Sequence, residues 1–343
     1  MIGLPHRIVP MLDPSLVGEA RRLAVALAED LDFDEVVTGR VALVVTELGN
    51  NLLRHARQGQ LLLACVTGDD GAPSVEVLSV DHGPGMHDVN LSIVDGHSTG
   101  GTSGNGLGAV RRLSNELFDI YSGPSQGTVI VSRISMGVGA AQAGAGRPPA
   151  FRCAGIVTAI AGEEVSGDAW SGVQGPDGMA LMLADGLGHG PDASEAAQTA
   201  VKAFMDNATH TPTSLMEKLH VRLRSTRGAA VALAQVNAAT GDIVFCGAGN
   251  IAGRLINGVE DRSIMSQHGT AGVQMRTPQA QHYTLPAHGV MVLHSDGLKT
   301  RWDLSNAPRV LQRHPALIAA WLWRDHQRGS DDASIVVLQR RNL

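Results

Sequence analysis

An acid and an amide stand four residues apart in a segment whose apolar residues recur at helical spacing. Glu47 and Asn51 lie within residues 37–57 (VTGRVALVVTELGNNLLRHAR), and this pattern predicts a long helix. Residues four apart share one helix face, so the two side chains are neighbours. Such a pair can orient a hydroxyl or a water molecule and hold Mg²⁺. Taken alone, the pair equally fits a polar stripe that faces solvent.

Two glycine-rich segments follow this helix. In DHGPGM, residues 81–86, Asp81 ends a predicted strand, and Gly83 and Gly85 leave open backbone beside its carboxylate, a combination that suits a flat polar ring. Residues 98–113 (STGGTSGNGLGAVRRL) lead into a predicted helix, whose first N–H groups can bind phosphate oxygens. The glycines of this second segment that lead into the helix are Gly104, Gly106 and Gly108. Each segment alone is also typical of an ordinary turn.

Acidic residues mark the ends of several predicted strands in the second half of the chain. They are Asp168, Asp185 (followed by Gly186), Asp296, Asp331 and Asp332. Carboxylates on neighbouring strand ends can converge on one point, and ligand sets made only of oxygen suit magnesium or manganese. Two such ions can deliver a hydroxide for in-line attack on a phosphate. The alternative is that each Asp-Gly pair forms a plain turn.

The elements that position these residues fall into two groups, separated by a stretch of small residues. Residues 136–150 (MGVGAAQAGAGRPPA) lack large periodic apolar residues and predict a flexible linker. Residues 1–135 predict an α+β domain, with helices over 15–30 (capped by Ser15), 37–57 and 106–116 and four strands. Residues 151–343 predict a strand-rich domain with two helices near 192–207 and 213–225, outside a sandwich.

Composition excludes several classes of protein. The 343 residues carry a net charge of −6 and no long Lys/Arg run, so we expect no nucleic-acid partner. No Lys occurs in the first 200 residues, which excludes a P-loop there. The three cysteines form no CxxC pair, and no apolar run is long enough to span a bilayer. We therefore expect a cytoplasmic protein with no membrane association.

The order of the first set of motifs resembles the GHKL (Bergerat) ATPase family. A helix with E-x-x-x-N is followed by D-x-G-x-G after a strand, then G-x-G-x-G before a helix, then Gly127-Thr128 opening a strand. TELGNNLLRHA and DGHSTGGTSGNGLGAVRRL resemble more narrowly the serine/threonine switch kinases of the bacterial stressosome, of the RsbT type and similar to anti-sigma-factor kinases. The resemblance implies an ATP-binding α/β sandwich over residues 10–135.

The same resemblance implies a role for each matching residue. Asp81 would accept a hydrogen bond from the adenine amino group, Asn51 would hold Mg²⁺ between the phosphates, and Glu47 would be the base that takes the proton from a substrate hydroxyl. Thr128 would close the adenine pocket. The glycines that would line the nucleotide are Gly83, Gly85, Gly104, Gly106 and Gly108.

The pattern GDAW…DGLGHG…HSDG…GSDDAS resembles the metal-dependent PPM/PP2C serine/threonine phosphatases, closest to the SpoIIE-like branch that includes RsbX-type enzymes. It implies an α-β-β-α sandwich and two Mn²⁺ or Mg²⁺ ions. Asp185 and the Gly186 carbonyl would bridge the ions, and Asp168, Asp296 and Asp331 would complete the ligand set. Asp332 would at most contact these ligands without binding an ion itself.

The second half of the chain also departs from the phosphatase pattern and contains two histidines near the acidic motifs. Asn250 stands where the family often has an Asp that binds a third metal, so two ions are expected. No Arg matches the one that larger members use to bind the phosphate. His189 and His294 flank metal-binding loops and could protonate a leaving group, although a bystander role is more common for such histidines.

Together the two resemblances predict a bifunctional partner-switching regulator. An ATP-dependent kinase domain would phosphorylate, and a phosphatase domain would dephosphorylate, a Ser or Thr on a STAS-type antagonist protein in stress or sigma-factor signalling. Further partners would be another phosphatase or a sigma-factor regulator. The alternative is that the first domain is a nucleotide-gated binding module without transfer activity, which regulates the phosphatase or sequesters a partner.

Overall fold

The computed structural model describes residues 1–93, 106–137, 149–286 and 288–341. The chain divides into two compact units, one formed by His6–Gly146 and the other by Met1–Pro5 together with Arg147–Leu343. The assignment of the first five residues to the second unit was not anticipated by the sequence division at residues 135 and 151.

The first unit is one antiparallel sheet covered by helices on one face. Its elements are β1 (Arg7–Pro10), α1 (Pro14–Asp30), α2 (Glu35–His55), β2 (Gln60–Thr67), β3 (Pro73–Asp81), α3 (Val89–Ile93), α4 (Gly106–Leu113), β4 (Leu117–Ser122) and β5 (Thr128–Ser135). The strand order is β1-β2-β3-β5-β4. The core forms where the apolar face of α2, including Val44, Val45 and Leu48, meets alternate residues of β3 such as Val75 and Val77.

Helix α1 shows a correction at its first turn. Ser15 is not the cap: Asp13 precedes the helix, and its Oδ1 accepts the main-chain N–H of Ser15 at 2.9 Å. Pro14 then occupies the first helical position, where a missing N–H costs nothing. The predicted helix and strand segments of this unit are otherwise present, and β1 was not predicted.

The second unit consists of two packed antiparallel sheets. Its strands are β6 (Phe151–Thr158), β7 (Asp168–Gln174), β8 (Gly178–Gly186), β9 (Ala229–Asn237), β10 (Asp242–Ala248), β11 (Ala252–Ile256), β12 (Asp261–Ile264), β13 (Gly269–Thr270), β14 (Gln274–Met275), β15 (Gln281–Thr284), β16 (Val290–His294) and β17 (Ala333–Arg340). One sheet has the order β15-β10-β9-β8-β7 and the other β12-β11-β16-β17-β6, with β13-β14 as a separate pair.

Helices cover the outer faces of both sheets. They are α5 (Pro191–Asn207), α6 (Pro212–Arg222) and α7 (Pro315–His326). Helices α5 and α6 bury Ala197, Phe204 and Leu219 against the sheet that contains β8 and β9, and α7 packs on β6 and β17. The layers are therefore α-β-β-α. Within the described ranges no helix is both long and apolar enough to cross a membrane.

Candidate functional site

Helix α2 carries Glu47 and Asn51 to the first residue of α4. Both side chains are half-buried. A Cβ placed on Gly106, where α4 begins, would lie 2.9 Å from Glu47 Oε2 and 3.8 Å from Asn51 Oδ1. The i, i+4 pair therefore does not face open solvent. It lies beside the first described residue of α4, and the start of a helix is a place where a phosphate could be bound.

Asp81 ends β3 and is only 8% exposed. Its Oδ1 accepts the main-chain N–H of Gly83 at 2.6 Å. Thr128 lies directly opposite Asp81 in the β3–β5 pairing and is also buried, and the Thr128 hydroxyl is 2.9 Å from the Ser122 hydroxyl. A buried carboxylate beside a threonine hydroxyl has the polarity that an adenine edge requires.

The loop that follows Asp81 is fixed by the β4–β5 hairpin. The N–H of Ser125 donates to the Pro84 carbonyl at 2.7 Å, and the N–H of Met86 donates to the Ser122 hydroxyl at 2.8 Å. Gly85 has φ +69°, and a Cβ at this position would collide with the Gly123 carbonyl. The glycine is therefore required by both backbone conformation and space.

The remaining predicted nucleotide residues are distributed around this site. Gly83 has no room for a side chain, because a Cβ would lie 2.8 Å from Asp81 Oδ1 and 2.9 Å from the His55 carbonyl. Gly108 is buried on α4. Gly104 lies outside the described residues.

The acidic residues of the second unit come from the ends of both sheets. Asp168 begins β7 and lies directly opposite Asp185, near the end of β8. Strand alternation puts Asp168 and Asp185 on the same face as Trp170 and Leu183, between the two sheets. Asp296 follows β16 and Asp331 precedes β17, and these two strands are antiparallel neighbours in the other sheet.

The crowding of these carboxylates opposes their ionisation. Burial, followed by the charges of Asp168, Asp296, Asp331 and Asp332, raises the pKa of Asp185 to about 9. Burial also raises the pKa of Asp168 to about 7, although the Ser295 and Ser334 hydroxyls beside it act in the opposite direction. A site that disfavours four neighbouring negative charges is one that a divalent cation would stabilise.

The residues present fit such an ion. Asp168 is 2% exposed and its Oδ2 has no hydrogen-bond partner, so a buried oxygen is left for a ligand. The donor set contains only oxygen, as magnesium and manganese prefer. Across the described ranges, no three His, Cys, Asp or Glu side chains already surround one point, so the carboxylates would have to rotate toward an ion.

Two neighbouring residues position the acidic loops. Asp332 accepts main-chain N–H groups from Ile160 at 2.8 Å and Gly167 at 2.7 Å, one on each carboxylate oxygen. Asp332 therefore holds both ends of the loop from Ile160 to Gly167, which leads into Asp168. Asn250 donates from Nδ2 to Asp296 Oδ2 at 2.7 Å, which leaves the other oxygen of Asp296 for a metal.

The two histidines differ sharply. His294 is fully buried, donates from Nδ1 to the Ser295 carbonyl at 2.8 Å, and accepts at Nε2 from Trp302 Nε1 at 3.3 Å. Burial lowers the pKa of His294, so it is a neutral structural residue. His189 is exposed, with Nδ1 2.9 Å from Glu163 Oε1, and remains a candidate proton donor.

The two folds and their motifs have known counterparts. A family described as "Histidine kinase-like ATPase domain" matches residues 11–133, and a family described as "Stage II sporulation protein E (SpoIIE)" matches residues 175–341. The serine/threonine-protein kinase RsbT of Bacillus subtilis (strain 168) is 35% identical over 111 residues, which cover 32% of this chain and 82% of RsbT.

Two solved structures share the fold of just over half of this chain. A protein from work described as "The bacterial stressosome: a modular system that has been adapted to control secondary messenger signaling" has a TM-score of 0.51 at 22% identity, covering 55% of this chain and 99% of that one. RsbX in complex with magnesium has a TM-score of 0.50 at 18% identity, covering 56% of this chain and 96% of RsbX.

The fold and these matches define a two-domain α+β protein with a GHKL-type ATPase domain followed by a PP2C-type phosphatase domain. The predicted fold class and both family resemblances are thereby confirmed. The chain belongs to the family of the kinase RsbT through its first domain and carries a SpoIIE-type phosphatase domain in its second.

Sequence reasoning missed the residues that support the sites. The bond from Asn250 to Asp296 and the Glu163–His189 pair join positions 46 and 26 residues apart. Asn250 was noticed only as a substitution for an aspartate. Glu163, in AGEEVSGD, carried no signal that distinguished it from a surface acid.

Proposed function

We propose that this protein is a bifunctional partner-switching regulator of the bacterial cytoplasm. Its first domain transfers the γ-phosphoryl group of ATP to a Ser or Thr of a STAS-type antagonist protein, and its second domain removes that group. The observation that supports transfer, rather than nucleotide binding alone, is the position of Glu47 Oε2 next to the start of α4. A carboxylate there can accept the proton of the attacking hydroxyl.

In the kinase reaction each residue has a distinct task. Asp81 orients the adenine, Asn51 contributes a magnesium ligand, and Glu47 takes the hydroxyl proton. Bound Mg²⁺ supplies positive charge to the phosphates. Phosphoryl transfer needs mainly such positioning and charge. The 35% identity to a serine/threonine-protein kinase supports this assignment.

In the phosphatase reaction the acidic residues hold the metal ions and the water. Asp185, the Gly186 carbonyl, Asp168, Asp296 and Asp331 would hold two Mn²⁺ or Mg²⁺ ions. When bound, such ions would supply a nucleophile for phosphate hydrolysis by lowering the pKa of water. The unpartnered Asp168 Oδ2 supports this assignment.

The test of the kinase proposal is phosphotransfer from γ-labelled ATP to a STAS-type protein, comparing the wild type with Glu47→Gln. The variant keeps the shape of the side chain but cannot act as a base, so labelling should fall by at least about 100-fold while ATP binding persists. Equal labelling by both proteins contradicts the role of Glu47. ATP binding without labelling by the wild type favours the nucleotide-gated binding module.

A further inference from the structure

The first residues of the chain form an additional strand on the phosphatase sheet. Ile2 lies opposite Ser171 in an antiparallel bridge. The N–H of Gly172 donates to the Met1 carbonyl and the N–H of Gly3 donates to the Trp170 carbonyl, both at 2.9 Å. The Ser171 hydroxyl adds a bond to the Met1 carbonyl, also at 2.9 Å. Residues 1–3 therefore pair with β7, which is otherwise the open edge of its sheet.

The side chains of this strand fit the sheet as a native strand would. Met1 packs on the core between the two sheets, and Ile2 on the opposite face is 42% exposed. Gly3 faces inward again, against the buried indole of Trp170. A Cβ on Gly3 would collide with the Trp170 ring, so docking requires glycine at this position.

The strand that receives this segment begins with a predicted metal ligand. Asp168 and Trp170 lie two residues apart on the same face of β7, and Trp170 provides the carbonyl that Gly3 binds. Strand β7 has β8 on its other side, where Asp168 meets Asp185. The docked segment thus covers an edge of the sheet that would otherwise be free to fray. This edge lies close to Asp168, the predicted metal ligand.

The same segment is anchored at its other end in the sheet of the first unit. His6 is 4% exposed, with Nε2 3.1 Å from Glu76 Oε1, and Arg133 Nε donates to the other oxygen of Glu76 at 2.7 Å. Only Leu4 and Pro5 separate His6 from Gly3. Pro5 has a fixed φ and restricts Leu4 to extended conformations.

We propose that Met1–Pro5 is a docking strand that sets the metal affinity of the phosphatase site by holding β7, and hence Asp168, in register with β8. The proposal rests on the proposed metal-binding role of Asp168. It assigns to the N-terminal segment a function in the domain at the other end of the chain.

The experiment compares Gly3→Ala with Gly39→Ala in the full-length protein. Both changes add one methyl group, but Gly39, on α2, has no heavy atom within 4 Å of a Cβ. Manganese affinity is measured by titration calorimetry, and exchange of the Gly172 N–H by hydrogen-exchange mass spectrometry. Gly3→Ala should release the Gly172 N–H and weaken manganese binding about tenfold, the size of effect seen when a ligand's support is lost. Gly39→Ala should leave both unchanged.

A second variant, lacking Ile2 and Gly3, removes the strand without creating a clash and should give the same two changes if Gly3→Ala does not fold. Manganese affinity in the deletion variant equal to that of the wild type overturns the proposal, as does rapid exchange of the Gly172 N–H in the wild type. Absence of manganese binding in the wild type itself would instead contradict the proposed metal site. The two failures are therefore distinguishable.

Discussion

At the scale of single residues, the proposed phosphatase site is defined by crowded carboxylates whose negative charge Arg328, near Asp296, offsets only in part. Asp168 and Asp185 face each other across β7 and β8, with Asp296 and Asp331 supplied by the opposite sheet. Asn250 and Asp332 bind these loops through hydrogen bonds and add no positive charge. The carboxylates are therefore more stable when they are protonated, at low pH, or bound to metal ions, at higher pH, than when they are ionised and without a ligand.

This charge predicts an unusual pH dependence for the metal-free protein. The pKa values of Asp168 and Asp185 rise from 3.8 to about 7 and about 9 on folding. The folded state then holds protons that the unfolded state releases, so stability is present below about pH 4 and is lost as pH rises to about 9. Melting temperature measured in EDTA should fall across this range.

Two variants test the cause of this decline. Asp168→Asn cannot ionise, so it should make the decline below about pH 7 shallower, while the contribution of Asp185 remains, and it should also weaken manganese binding. Asp177→Asn changes an exposed aspartate in the bend between β7 and β8 and should follow the wild type. A melting temperature of the wild type in EDTA that is constant from pH 4 to 9 would contradict the crowded site.

At the scale of elements, the nucleotide site depends on how loops are held rather than on side chains alone. The segment from Asp81 to Met86 is fixed to the β4–β5 hairpin by main-chain and serine hydrogen bonds. Helix α4 begins against Glu47 and Asn51 of α2. The site is therefore assembled from one strand end, one hairpin and two helices.

Substitutions at two glycines with positive φ distinguish the effect of backbone strain from the effect of disturbing this loop. Gly85→Ala adds a collision with the Gly123 carbonyl to the backbone strain, and it should lower the free energy of unfolding by about 3 kcal/mol. It should also abolish the rise in melting temperature caused by ATP–Mg. Gly71 also has a positive φ, +85°, but a Cβ there would have no heavy atom within 4 Å, so Gly71→Ala should cost about 1 kcal/mol. Equal effects of the two substitutions on urea unfolding would show that the loop is not held as described.

Elements with a clear period were predictable from the sequence, whereas those defined by tertiary pairing were not. Helix α2 and strands β2, β3 and β8 follow from their apolar patterns. Strand β7 (DAWSGVQ) carries Asp, Ser and Gly in place of alternating apolar residues, and β1 has only four residues. Helix α7 is buried along almost its whole length, so it shows no polar face and no helical period.

The candidate sites follow the same distinction. The motifs that carry Glu47, Asn51, Asp81 and Asp185 are local in sequence and could be found by spacing. The pairing of Asp168 with Asp185 depends on strand register, and the bond from Asn250 to Asp296 continues the β11–β16 pairing just beyond the strand ends. Neither leaves a local signal.

At the scale of the whole molecule, two opposed reactions are proposed on one chain. A linker of small residues separates the two predicted domains, yet Met1–Pro5 belongs with the second unit. The proposed ligand sets of the two domains are distinct, so we expect that each reaction can be silenced by one substitution.

The most direct test of this account is release of inorganic phosphate from γ-labelled ATP in the presence of a STAS-type protein and manganese. The wild type should release phosphate continuously, because each transferred group is hydrolysed. Asp296→Asn should stop after about one phosphate per STAS protein and accumulate the phosphoprotein, since the phosphatase site has lost a metal ligand. Glu47→Gln should form no phosphoprotein and release none. Release by Glu47→Gln at the wild-type rate, or no phosphoprotein with Asp296→Asn, would contradict the bifunctional cycle.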